Sequence, residues 1–393
     1  MAQVKPEIET FAKIKVVGIG GGGGAAVNRM IEAGIRDVEF IAVNTDMQAL
    51  QHNKAQIKIH IGRTITKGLG AGMDPELGKM SAEESQNELR DALKGSDMVF
   101  ITCGLGGGTG SGASPVVAEL AHDSGALTIA IVTKPFSFEG AQRRNIAERA
   151  HAELTDKVDA VITIPNDKLL QVVEKKTSLL DAFKIADEIL RQGVQGIAEV
   201  ITIPGLINVD FADVKSIMSN AGSALMGIGQ ATGENKAIEA AKMAINSPLL
   251  EMSVEGARGV LFTIVGGKDL SMHEVNEAAK VITSSTDEDA RIIFGAVIDE
   301  RLKDDIKITV IATGFDGGSK HSSEMSMPKE KSPYSPSSFL KSKTSAEEKI
   351  DDRKRGKVSP LKAAQAEPAK SKEGNSEDDD ELGIPAFIRK KMM

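Results

Sequence analysis

The sequence predicts an α/β protein: a doubly wound, mostly parallel sheet, a long central helix, a smaller second α/β domain with a mixed sheet, and a disordered C-terminal tail. Three observations predict it. Short runs rich in Val and Ile alternate with helically spaced segments over roughly the first 200 residues. One apolar stripe then persists at steps of three and four from Leu180 to Ile201. Beyond Gly317 large apolar residues become scarce, and Ser, Lys, Pro and Glu take their place.

The runs KIKVVGIG (13–20), EFIAVN (39–44), DMVFITC (97–103), ALTIAIVT (126–133) and DAVITIP (159–165) read as buried strands. Between them AAVNRMIEAG, AEESQNELRDALKG, SPVVAELAHDSG and EGAQRRNIAERAHAEL carry helical spacing. Such alternation implies a parallel sheet with ligands at the carboxyl ends of its strands. The long helix places Leu180, Phe183, Ala186, Leu190, Val194, Ile197 and Ile201 on one stripe and stops at Pro204-Gly205. From Phe183 to Thr202 it should measure about 29 Å, long enough to cross a domain. A second unit begins near Gly222. GVLFTIVGG (259–267), a helix from SMHEVNEAAKVITSS, ARIIFGAVID (290–299) and IKITVIATGF (306–315) suggest a small mixed sheet with helices on it.

Composition narrows the chemistry. The chain has 393 residues, no Trp, one Tyr and one Cys. A lone cysteine excludes an internal disulfide framework and points to a cytoplasmic protein. The six His, at 52, 60, 122, 151, 273 and 321, do not cluster with Cys, so no structural zinc is expected. Neither a leader peptide nor an apolar stretch of about 20 residues is apparent, so direct membrane insertion is not expected. The net charge of −8 is uneven. From Ser319 onward 16 Lys and Arg face 13 Asp and Glu, which leaves 32 basic against 43 acidic residues in the body. An acidic body argues against general nucleic-acid binding, and an anionic ligand must be held by local dipoles.

Two glycine-rich segments supply such dipoles. Gly18-Ile19-Gly20-Gly21-Gly22-Gly23 satisfies G-x-G-x-x-G after a strand and before a helix, as a Rossmann-like dinucleotide fingerprint does. An NAD-dependent oxidoreductase is therefore one reading, with Asp46 or Glu39 as the acid that would bind the ribose. GLGGGTGSG (104–112) also joins a strand to a helix, with six glycines in nine positions. Two such segments on neighbouring strands can close on one polyphosphate. Backbone N–H groups and helix N-termini then act as donors, Thr109 and Ser111 add hydroxyls, and magnesium from solution carries countercharge. No G-x-x-x-x-G-K-[ST] occurs, which disfavours a P-loop ATPase.

NVDFADV (208–214) follows the long helix and sets Asp210 and Asp213 three residues apart. Such a pair can cap a helix or can orient a water. If a nucleotide sits near the N-terminus of the long helix, this loop lies about 30 Å away in the same subunit. A second subunit stacked head to tail could bring its loop to the phosphates, and a contact that does not close gives a filament.

GGGTGSG (106–112) looks like the tubulin signature loop. With GGGGAAVNRM, NTDMQAL (44–50), TKPFSFEGAQR (133–143), IPNDKLL (164–170), PGLINVDFADV (204–214), IIFGAVID (292–299) and the terminal LGIPAFIRKK, the chain resembles the tubulin/FtsZ family of bacterial cell-division GTPases. The resemblance implies GTP-dependent head-to-tail protofilaments of the division ring, with GTP or GDP bound and Mg2+ accompanying the nucleotide. It implies an N-terminal extension (1–12), a GTP-binding domain (13–178), a central helix and acidic loop (179–221), a C-terminal activation domain (222–316), a disordered linker (317–380) and a partner-binding peptide (381–393). The implied nucleotide residues are Gly20, Gly21, Gly22, Gly23, Gly24, Ala25, Gly104, Gly106, Gly107, Gly108, Thr109 and Gly110. Glu139 and Arg143 would contact the ribose side and Asn166 and Asp187 the guanine, with Phe183 stacking on the base. Asp210, Asp213 and Asn208 would act in trans on the next subunit's GTP. The Leu382–Lys391 peptide would dock on membrane tethers and division regulators, holding the polymer at mid-cell on the inner face of the membrane.

Three positions depart from the family pattern. Ala25 stands where Asn is common, Met73 where Gly is usual, and Cys103 where Ala is usual. Ala25 removes a side-chain hydrogen bond worth about 0.5–1.5 kcal/mol net, so lower affinity is expected. Met73 is expected to alter its loop, and Cys103 to be a buried small apolar residue. A tubulin-like protein that binds GTP without hydrolysing it is a further reading, which the intact acidic loop opposes.

Overall fold

The Val- and Ile-rich runs become the centre of a ten-stranded sheet in the computed structural model, which describes residues 12–170, 177–203, 205–247, 253–299, 302 and 304–315. Strands β1 (Ile14–Ile19), β2 (Val38–Asn44), β3 (Ile57–His60), β4 (Met98–Gly104), β5 (Leu127–Lys134) and β6 (Ala160–Pro165) lie parallel in the order β3-β2-β1-β4-β5-β6. β1, β4 and β5 are buried at nearly every position, as expected of strands covered on both faces.

Helices cover the two faces. They are α1 (Gly20–Glu32), α2 (Met47–Gln51), α3 (Pro75–Glu84), α4 (Gln86–Leu93), α5 (Gly108–Asp123), α6 (Ala141–Thr155), α7 (Asn166–Leu169), α8 (Leu179–Thr202) and α9 (Phe211–Met218). Ile14 and Val16 of β1 pack with α1 and α8, whereas Val17 and Ile19 pack with α4, α5 and α6. Burying each such side chain contributes about 1.5–3 kcal/mol. The single helix expected over 82–95 is instead two, α3 and α4, which meet at Ser85. Asp74 caps α3 by accepting from the Glu76 N–H at 3.0 Å, and Pro75 fits its first position because the N–H it lacks would have no helical partner.

At 24 residues, α8 is about 36 Å long. Ser178 caps it, accepting from the Asp181 N–H at 3.1 Å. Its buried stripe runs from Ala182 and Ala186 through Leu190 and Val194 to Ile197. Leu180 and Phe183, placed on that stripe by spacing, are exposed instead.

The remaining strands are β7 (Gly222–Thr232), β8 (Gly259–Gly266), β9 (Arg291–Ile298) and β10 (Asp305–Thr313), with helices α10 (Lys236–Ile245) and α11 (Met272–Thr283). β10 runs antiparallel to β7 and β8, and β8 and β9 are parallel, which makes this half mixed. Its own core gathers Ala240, Ala244, Phe262, Ala278, Ile282 and Ile308. The sheet does not stop at the boundary between the halves. β6 and β7 pair in parallel through Ala160–Gly222, Val161–Ser223 and Ile162–Ala224. Among the described residues, no helix is long and apolar enough to cross a membrane. The expected linker, the terminal peptide and nearly all of the N-terminal extension lie outside the described residues.

Candidate nucleotide-binding site

A cleft of about 480 Å³ opens at the carboxyl ends of β1, β2, β4, β5 and β6, with Ile19, Asn44, Gly104, Thr133 and Asn166 in its wall. Gly21, Gly22, Gly107, Gly108, Thr109, Gly110, Glu139, Arg143, Phe183 and Asp187 line it as well. Both α1 and α5 begin here. Their N-caps, Ile19 and Gly107, make no side-chain cap bond, and neither first turn holds an acid. First-turn N–H groups have no intrahelical partner, and the helix dipole adds partial positive charge, so two helix starts converge on one anion site.

The structure corrects the reading of the glycines. The helix begins inside each run, at Gly20 and at Gly108, and Leu105–Gly107 form the turn before the second. Gly23 is buried away from the cleft. A Cβ there would lie 2.2 Å from the Thr102 carbonyl oxygen, so its bareness lets α1 sit against β4. Gly106 also lies outside the cleft wall. Its N–H donates to Ser111 Oγ at 2.9 Å, and Ser111 is buried outside the cleft wall, so its hydroxyl belongs to the turn. Gly20, Gly24 and Ala25 line a neighbouring cavity of about 160 Å³ that shares Gly21, Asn44 and Ala49 with the cleft. The Gly108 N–H is already committed to the Gly72 carbonyl at 2.9 Å.

The other end of the cleft can recognise a base. Asn166 is buried, and its Oδ1 has no hydrogen-bond partner among the described residues. Phe183 meets Phe136 edge-on at 5.5 Å. One turn along α8, the Asp187 carboxylate accepts from Arg29 Nε at 3.3 Å. Burial raises the Asp187 carboxyl above its ordinary pKa, and Arg29 opposes that shift. Glu139 is held on both oxygens, by the Phe136 N–H and by Arg143, each at 2.9 Å. An unsatisfied acceptor and an aromatic ring in the wall of one cleft, together with two uncapped helix starts, suit a purine nucleotide with its phosphates.

Sequence reading missed Arg29, whereas the loop of Met73, expected near the nucleotide, does supply Gly70, Ala71 and Gly72 to the cleft wall. The oxidoreductase reading fares poorly. Glu39 sits near the start of β2, away from the cleft, paired with Lys15 at 3.2 Å. Asp46 does line the cleft, but its Oδ1 is engaged in capping α2, accepting from the Gln48 and Ala49 N–H groups.

The acidic loop lies beyond the other end of α8. Asp210 is the N-cap residue of α9 and Asp213 its third residue. Both are exposed, and the Asp210 side chain makes no cap bond, so capping does not account for it. Asn208 Oδ1 accepts from the Gly205 N–H at 2.6 Å and closes the turn before them. Phe183, Ala186, Asp187 and Leu190 of α8 line the cleft, so the helix that leaves the nucleotide cleft ends next to the acidic loop.

Among the departures, Ala25 is exposed, and Met73 has no left-handed backbone that would demand glycine. Cys103 is fully buried on β4. Burial pushes its thiol up to about 12. A thiol-specific reagent at pH 8 is therefore expected to leave the native protein unlabelled and to label it fully in denaturant. Mass spectrometry before and after unfolding checks this.

Residues 13–174 match the model of the GTPase domain of the Tubulin/FtsZ family, and residues 222–316 match that of the FtsZ family C-terminal domain. The chain belongs to the tubulin/FtsZ family and carries its GTPase domain. FtsZ from M. jannaschii, solved as an empty dimer, is 47% identical with a TM-score of 0.75, over 78% of this chain and 89% of that one. The C-terminal match and this identity place the chain on the FtsZ side of the family. CetZ2 from Haloferax volcanii, solved as a GTPγS-bound protofilament, shares the fold at 24% identity and a TM-score of 0.66, over 76% of this chain and 92% of that one.

Proposed function

We propose that this GTPase assembles head to tail and hydrolyses GTP at a site shared by two subunits, building the filament of a cell-division ring. One observation carries the reading: the N-terminal half of α8, from Phe183 to Leu190, lines the nucleotide cleft, and the carboxylates of Asp210 and Asp213 lie beyond its C-terminal end, about 18 Å or more further along. One protomer cannot bring its own acidic loop to its own phosphates, whereas a stacked neighbour can. The dimer and protofilament forms of the relatives support such stacking.

In this reading the first turns of α1 and α5, including Gly21, Gly22, Thr109 and Gly110, hold phosphate oxygens. Glu139 and Arg143 hold the ribose, and Phe183 stacks on the base. Asn166 Oδ1 accepts from a guanine N–H, and Asp187 faces the same edge. The neighbour's Asp210 and Asp213 orient the attacking water, while Asn208 keeps their loop closed. Magnesium would arrive on the phosphates and supply countercharge, since an acidic pair otherwise repels a triphosphate. The Leu382–Lys391 peptide, outside the described residues, would tie the polymer to membrane tethers and division regulators at mid-cell. Its apolar Ile384, Phe387 and Ile388 stand beside basic Arg389–Lys391 after a long tether that supplies reach.

The test is GTP turnover per protomer across a dilution series. It is expected to be low in dilute protein, to rise with concentration and then to level off. A flat specific activity would refute the shared site.

A further inference from the structure

We propose that Thr45, between β2 and α2, is a positioning residue that aims the Thr109 hydroxyl at a bound phosphate. The proposal rests on reading the cleft as a guanine-nucleotide site. Thr45 is completely buried, at 0% exposure, and its Oγ1 lies 2.7 Å from Thr109 Oγ1. Distance alone leaves either hydroxyl as donor.

The surroundings settle the direction. Among the described residues, Thr109 is the only partner of the Thr45 hydroxyl. If Thr109 donated, the Thr45 proton would be buried with no acceptor, which is the costly state for a polar group. Thr45 therefore donates and Thr109 accepts, and Thr109 keeps its own proton free. Thr109 is the second residue of α5 and lines the cleft. Its free proton can then be given to a phosphate oxygen in the cleft, which gains a charge-assisted hydrogen bond.

Thr45 is itself held in place. Its carbonyl accepts from His60 Nε2 and from Thr66 Oγ1, each at 3.3 Å. The next residue, Asp46, bridges to Leu69. His60 at the end of β3 and Thr66 after it thus fix the Thr45 backbone, and with it the hydroxyl that meets Thr109.

Thr45→Val keeps the branched shape and removes the donor. The experiment measures the binding of GTP and of guanosine, which has no phosphate, to the full chain. Thr45→Val is expected to weaken GTP by about tenfold, the size of one charge-assisted bond, and to leave guanosine unchanged. Thr45→Ser is expected to restore GTP binding. Adding Thr45→Val to Thr109→Val should cost nothing further, because both remove one interaction. Unchanged GTP affinity, an equal loss for guanosine, no rescue by Ser, or additive losses would each overturn the assignment. Absence of GTP binding by the unaltered chain would bring down the reading of the cleft itself. Normal binding by the unaltered chain and by Thr45→Val alike would sink only the role of Thr45.

Discussion

Asp213→Ala is expected to keep GTP affinity and to lose GTP turnover by about a hundredfold or more, the range for removing a group that positions or deprotonates water. The side chain is exposed at the third position of α9, so its loss should not disturb the fold. It lies beyond the C-terminal end of α8, whose N-terminal half lines its own protomer's cleft, so nucleotide binding should be untouched. The sharper form of the experiment mixes two defective variants. Asp187→Ala should bind GTP poorly but carries an intact acidic loop, whereas Asp213→Ala has the opposite defect. An equimolar mixture should regain activity, because an Asp213→Ala cleft can be completed by an Asp187→Ala neighbour. Random stacking puts that recovery at about a quarter of the normal rate. A mixture as inactive as its components would rule out catalysis across the junction.

Gly112→Ala is expected to destabilise the fold by about 3 kcal/mol, at the upper end of overpacking costs. A Cβ at Gly112 would lie 1.9 Å from the Pro75 carbonyl oxygen and 2.7 Å from the Lys79 N. Both contacts are backbone atoms of α3, which cannot swing aside as a side chain can. Helix α3 would have to lift off α5, and with it the start of α3 that abuts the phosphate-facing turn. Gly107→Ala is the matched control. Its φ of −92° suits any residue, and no atom lies within 4 Å of the added Cβ, so a change within about 0.5 kcal/mol is expected. Urea midpoints of the two variants against the parent decide the matter. Equal stability of Gly112→Ala and Gly107→Ala would show that the glycines are not there for packing.

That contrast marks where sequence reading reaches and where it ends. The central strands were legible because nothing interrupts their apolar runs. β7 was not, because Gly227 and Gly229 break its pattern. The structure supplies the reason: a Cβ at Gly227 would lie 1.8 Å from the Ala244 carbonyl oxygen, so α10 rests directly on the strand backbone. β3 is four residues long with Lys58 inside it, too short to register. At the cleft, glycine density is a local signal and marked the two helix starts. It could not separate Gly107, which faces open space, from Gly112, which faces a helix. The Arg29–Asp187 pair joins residues 158 apart, and no spacing rule connects them. The use of Ser111 by the Gly106 N–H likewise depends on how a turn closes, which composition does not encode.

The junction of β6 and β7 has a consequence of another kind. Only three rungs join the two halves of the sheet there, and the far half keeps its own apolar interior. Behind those three rungs, however, the halves share apolar contacts: Ala224, Met226, Leu261 and Ile311 sit in one core with Val194, Ile197, Val214 and Ile217 of α8 and α9. A gene split just ahead of Gly222 would therefore yield two fragments that each leave greasy surface bare until they meet.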